Sequence, residues 1–193
     1  MNQKIFTSTP YGSICIVWTH ADQGPKVVRV LLSKPGLPAE RQASELYPTA
    51  RAASSSEIDA IGAGMKSLLA GEPVDFSLHL ADLDLCSEFQ RRVLRAEHAI
   101  PRGRISTYRL IAAHLGQPNG SRAVGNALAN NPFPLIVPCH RAIRSDRQLG
   151  GYQGGLEMKR ALLEKEGIAF DSTGKVICTH FYYDRGGRTT GSS

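Results

Sequence analysis

Near residue 86 the chain changes its periodicity, and that break constrains the fold more than any other feature. Before it, residues 5–7, 13–18 and 27–32 are rich in β-branched and aromatic side chains. Pro10-Tyr11-Gly12 and Gln23-Gly24-Pro25 separate them with turn chemistry, which predicts an antiparallel meander. Residues 40–47 and 57–69 read as helices, the second entered through Ser54-Ser55-Ser56 and left at Gly71. Residues 76–80 alternate and predict one more strand. After the break the text turns helical. Ser87 caps a helix running to Ile100 and Thr107 caps residues 108–115. Ser121 caps residues 122–129, and residues 155–165 form a last helix. The pair around Gly116-Gln117-Pro118-Asn119-Gly120 has the form of a helix-turn-helix. The division expected is an α/β region over 1–85, a helical region over 86–170, and a tail over 171–193 that is partly disordered and frayed from Arg185 onward.

Charge divides at the same place. Residues 1–85 carry 7 Lys and Arg against 9 Asp and Glu, and residues 86–193 carry 16 against 8. A basic half beside an acidic one points to a polyanionic partner for the helical region. With 41% hydrophobic and 21% charged residues, a disordered or fibrous chain is excluded. No apolar run spans a membrane and the N-terminus lacks a signal-peptide pattern, so no membrane partner is expected. The expected location is cytoplasmic in a bacterial-type cell, or nuclear in a eukaryotic one.

The four cysteines, Cys15, Cys86, Cys139 and Cys178, form no C-x-x-C pair, so neither a zinc knuckle nor a redox pair is expected. Cys139 stands apart. A short apolar strand, residues 135–137, runs into Pro138 and then Cys139-His140-Arg141. In a regular strand, neighbouring side chains point to opposite faces, so Cys139 and His140 would not share a site. Pro138 favours an irregular backbone that could bring them together. A base beside a thiol makes the thiolate, which is the nucleophile. On these residues alone, reactive and structural readings of Cys139 are equally supported.

Pro138-Cys139-His140-Arg141 resembles the active-site signature of the O6-alkylguanine-DNA alkyltransferases, the methylated-DNA–protein-cysteine methyltransferases. Phe89-Gln90, Ile100-Pro101-x-Gly103, Thr107-Tyr108, Arg122-Ala123-Val124-Gly125, Asn130-Asn131-Pro132, Gly150-Gly151-Tyr152 and Leu162-Leu163-x-x-Glu166-Gly167 follow in that family's order. The resemblance covers residues 88–167 and is loose over 1–85. It implies an α+β protein. An N-terminal ribonuclease H-like α/β domain with antiparallel strands precedes a mostly helical domain with a winged helix-turn-helix.

The resemblance also implies an activity: irreversible transfer of a methyl or larger alkyl group from O6-alkylguanine in double-stranded DNA to Cys139, once per molecule. No cofactor or metal is implied, and a monomer without an obligate protein partner is expected. Cys139 is then the acceptor, and His140 relays its proton through a water toward Glu166. Asn131 braces the site, and Tyr108 donates a hydrogen bond to the flipped base. Arg122 fills the gap in the base stack. Ala123, Gly125, Ala129, Arg141 and Ser145 are expected against DNA, with Tyr152, Gln153, Gly154 and Pro134 around the alkyl group.

Some positions depart from the family pattern. Leu94 replaces a frequent tryptophan, and Glu97-His98 is unusually polar for its helix, for which only a packing change is expected. Gly154 replaces a bulky side chain and suggests room for larger adducts. Cys15, His20, His79 and Cys86 do not reproduce the zinc pattern of some relatives. The competing readings are a non-repairing sensor of alkylated DNA, a cysteine hydrolase using Cys139 and His140, and a plain transcription factor.

Overall fold

The structure, a computed structural model, describes residues 1–22 and 24–184. Gln23 of the expected turn, and the 185–193 end expected to fray, lie outside the described residues. The meander is present as β1 (Asn2–Thr9), β2 (Gly12–Ala21) and β3 (Gly24–Leu32). Helix α1 (Ala39–Leu46) follows, then a short β4 (Arg51–Ala52) and helix α2 (Ser56–Ala70). Strand β4, not foreseen, pairs parallel with β1 and completes a sheet of order β3-β2-β1-β4.

Strand β2 is buried on both faces. Ile14, Ile16 and Trp18 join α2 residues Ile58, Met65 and Leu69 in one apolar cluster, while Cys15 and Val17 pack with Ala39 and Ala43 of α1. Covering both faces removes the polar alternation that a half-solvated strand shows. Ser55 caps α2 by accepting the Ile58 N–H, and Gly71, at φ 107°, ends it.

Residues 76–80 do not form the expected strand. Leu78–Leu80 and Leu83–Leu85 are 3-10 turns. The edge of β3 that such a strand would need is already used: Asp82 N–H donates to Val27 O at 2.9 Å and Val30 N–H to Pro132 O at 2.8 Å.

The second half holds α3 (Glu88–His98), β5 (Ser106–Thr107), α4 (Tyr108–His114) and α5 (Ser121–Ala129). Ser87 and Thr107 cap α3 and α4 as expected. Ser121 does not cap α5; it is the first helical residue, and Gly120 takes the cap position without a side-chain bond. Strand β6 (Ala142–Ile143) pairs parallel with β5, then come α6 (Leu156–Lys165), β7 (Ala169–Phe170) and β8 (Val176–Ile177). The 171–184 segment returns to the body of the fold. Tyr182 N–H donates to Ile105 O, and Tyr183 Oη donates to Ala96 O at 2.8 Å.

The front α/β half and the rear helical half share one core. Phe6, Trp18, Val30, Leu94, Ile111, Val124, Phe133 and Leu162 belong to a single cluster. The change of texture near residue 86 therefore separates two styles of chain around a common interior. Among the described residues no helix is long and apolar enough to cross a membrane.

Candidate active site

The expected strand at 135–137 is absent. Leu135 sits at φ 73°, and Val137 N–H turns back to Phe133 O at 2.8 Å. Asn131, fully buried, braces this loop at both ends. Its Oδ1 accepts the Phe133 N–H at 2.9 Å and its Nδ2 reaches Val137 O at 3.4 Å. Gln153, expected at the alkyl pocket, instead donates to Asn131 O at 2.5 Å and Ala129 O at 3.2 Å, tying α5 to the loop. Pro134 is buried in the same loop. The chain then enters a 3-10 turn, Cys139–Arg141, which breaks the strand-like opposition of neighbouring side chains.

Cys139 is 5% exposed. Burial pushes its thiol up to about 11, against an opposing hydrogen bond from Asn131. At neutral pH Cys139 rests as a thiol. His140 is completely buried, with Nε2 2.9 Å from Glu166 Oε1. Burial lowers its pKa although Glu166 opposes this, so the imidazole rests neutral. Glu166 is itself ionised. Burial alone would raise it, yet the hydrogen bonds from His140 and Arg141 hold it down to about 2. A carboxylate only accepts, so Nε2 carries the proton and Nδ1 is the basic atom. Nδ1 is buried with no hydrogen-bond partner.

Arg141 was expected against DNA. It is 4% exposed, bonded to Glu166 through Nε and Nη2 and to Ile100 O through Nη1 at 2.6 Å, so it cannot face a duplex. Gly103 N–H also donates to Glu166 Oε2, at 3.3 Å. Tyr108, at the start of α4, is half-buried, and its phenol is raised to about 12, chiefly by burial. Its hydroxyl lies against Gly150, where a Cβ would sit 2.6 Å from Oη. The Tyr152 hydroxyl is buried without a partner, and its ring meets His140 edge-on at 6.3 Å. On the outer side Arg122, Ala123, Ala129 and Ser145 are exposed and Gly125 is half-exposed.

Gly154 does not open the space expected for larger adducts. A Cβ there would fall 2.2 Å from Met158 Sδ. Gly154 lies instead on a groove of about 760 Å³ with Tyr11, Pro35 and Leu156, and Cys139 does not line it. Among the described residues no group of three His, Cys, Asp or Glu is arranged to hold a metal.

Two buried ionisable groups were missed. Lys159 is fully buried on α6 and donates to Ala142 O and Leu149 O, each at 2.7 Å, and to Gly151 O at 3.4 Å. Glu97 is fully buried on α3 with neither carboxyl oxygen hydrogen-bonded, which is more than the packing change expected of it. The signal was there: each interrupts an apolar stripe, Lys159 beside Leu162 and Leu163, and Glu97 beside Val93, Leu94 and Ile100.

Residues 88–168 match the family described as 6-O-methylguanine DNA methyltransferase, DNA binding domain. A methylated-DNA–protein-cysteine methyltransferase of Mycolicibacterium paratuberculosis is 40% identical over 130 residues, covering 65% of this chain and 77% of that protein. The chain belongs to the methylated-DNA–protein-cysteine methyltransferase family. A family member from Methanothermobacter thermautotrophicus is 48% identical over 107 residues, 55% of this chain, and the match spans only 60% of its length. The crystal structure of Mycobacterium tuberculosis OGT in complex with DNA has a TM-score of 0.67 at 30% identity, covering 86% of this chain and 93% of that one. This agrees with the expected fold class, a mixed α/β domain followed by a helical domain with a helix-turn-helix.

Proposed function

We propose that the protein repairs double-stranded DNA by moving an alkyl group from O6 of guanine onto Cys139, irreversibly and once per molecule. The observation that carries this reading is the buried His140–Glu166 pair adjoining Cys139. Family membership and the exposed, small-residue face of α5 headed by Arg122 support it.

In this reading α5 lies in the minor groove, and the damaged nucleotide is flipped into the site while Arg122 takes its place in the stack. The thiol proton passes through a bridging water to His140 Nδ1, and the imidazolium is stabilised by Glu166. The thiolate forms a bond to the alkyl carbon as the carbon–O6 bond breaks, and that electron pair goes to the guanine. Tyr108, which stays protonated, donates a hydrogen bond to the ring as negative charge develops there. The product is a thioether that no group in the site is placed to hydrolyse. The protein acts as a monomer wherever the cell keeps its DNA.

The test is intact-protein mass and peptide mapping after mixing with a duplex carrying one O6-methylguanine. One added methyl on the Cys139 peptide, absent in Cys139→Ala, is expected. Binding without modification would replace repair by damage sensing, and neither binding nor modification would overturn both.

A further inference from the structure

Helices α3 and α6 both pack on the Cys139–Arg141 turn, and each carries a buried charged side chain that the reaction above does not use. Glu97 from α3 has both carboxyl oxygens buried without a hydrogen-bond partner. Lys159 from α6 is buried too, and its ammonium is held by three backbone carbonyls. Its Nζ stands 6.0 Å over the Tyr108 ring. A bare buried carboxylate and a buried ammonium are each costly, and each lowers the cost of the other.

Both groups act electrostatically on Cys139, Glu97 disfavouring its thiolate and Lys159 favouring it. We propose that Glu97 and Cys139 compete for the charge of Lys159, so that Glu97 sets how readily the thiol ionises. It is a positioning residue for charge that need not touch the substrate.

The groups facing Glu97 come from every element around it. Lys159 approaches from α6 and Arg141 from the Cys139 turn, with the Ala142 N–H beside them. Tyr108 from α4, Tyr183 from the C-terminal segment, and Cys139 itself all feel its charge. Arg141 is engaged by Glu166, which leaves Lys159 as the cation for Glu97. Burial drives Glu97 up to about 8 and Lys159 down to about 8, each opposed by the other. Glu97 is ionised above about pH 8, the range in which the thiol titrates, and there its charge opposes the thiolate.

The inference rests on Cys139 being the nucleophile, but its test needs no DNA. Carbamidomethylation of Cys139 by iodoacetamide is followed against pH by peptide mapping, which separates it from the other cysteines. Glu97→Gln and Glu97→Leu are expected to lower the midpoint by about one pH unit, since a like charge has been removed. Lys159→Gln is expected to raise it. A cooperative unfolding transition retained in Glu97→Leu shows that the variant folds. A folded variant with an unmoved midpoint would reduce Glu97 to packing and overturn the proposal. So would a Lys159→Gln midpoint that stays or falls. If alkyl transfer from DNA fails while these midpoints move, the repair reading falls and this one stands.

Discussion

Arg141 grips Glu166 through three hydrogen bonds, from Nη2 to Oε1 at 2.8 Å and from Nε to Oε2 and Oε1 at 3.0 and 3.2 Å. The last residue of Pro138-Cys139-His140-Arg141 thus aims the carboxylate that orients His140. Arg141→Ala leaves Glu166 buried without its main cation, and breaking a buried pair costs about 3–5 kcal/mol. Urea unfolding should show that loss, together with slower alkyl transfer. Unchanged stability with weaker DNA binding would instead restore the surface role expected from sequence.

The same carboxylate makes stability depend on pH in the acid range. Its folded pKa of about 2 lies below its ordinary 4.5, so the folded state favours the ionised form. That contribution is complete above about 4.5 and is lost as pH falls toward about 2. Unfolding curves between pH 6 and 3 should show wild type losing stability faster than Glu166→Gln. Asp59, Asp146 and Asp171 are also lowered, so the difference between the two proteins is the measurement. Parallel curves would mean that the ionised form is not favoured in the fold.

Arg122 is exposed at the start of α5, and removing a surface arginine leaves stability within about 0.5 kcal/mol. If it fills the place of the extruded base, Arg122→Ala slows transfer from a duplex about tenfold or more, about 1.4 kcal/mol of barrier. Reaction with the free base O6-benzylguanine, which needs no flipping, should keep its rate. An equal drop on both substrates would place Arg122 in the chemistry and count against the flipping role.

How much of this was legible in the sequence depends on where each signal resides. The meander, the capping run that holds Ser55, the caps Ser87 and Thr107, and the helices themselves are local, and they appear as read, with helix ends displaced by a residue or two. Residues 76–80 were misread because alternation does not reveal whether a sheet edge is available, and Asp82 and Pro132 already occupy that of β3. Residues 135–137 look like a strand for their apolar side chains. It is the Asn131 side chain that holds them in a closed loop with Leu135 at positive φ. Which site residues are inward or outward was the least legible. Arg141 and Arg122 are the same residue type, and only the third dimension separates a buried clamp from an exposed finger.

Gly150 supplies the last test, because it places Tyr108. Its φ is 69°, a conformation that side-chain-bearing residues adopt at a cost of roughly 1–2 kcal/mol. A Cβ there would lie 2.6 Å from Tyr108 Oη and 3.1 Å from Cε2, so the phenol must move if a methyl is added. Gly151 beside it has nothing within 4 Å of its Cβ position and no positive φ, which makes Gly151→Ala the matched control. Gly150→Ala should slow single-turnover transfer while leaving the Cys139 carbamidomethylation profile nearly in place, since the thiol is not displaced. Tyr108→Phe should slow transfer in the same way, and adding Gly150→Ala to it should cost little further rate. A Gly150→Ala protein as fast as its Gly151→Ala control would show that the position of the Tyr108 hydroxyl does not matter to the reaction.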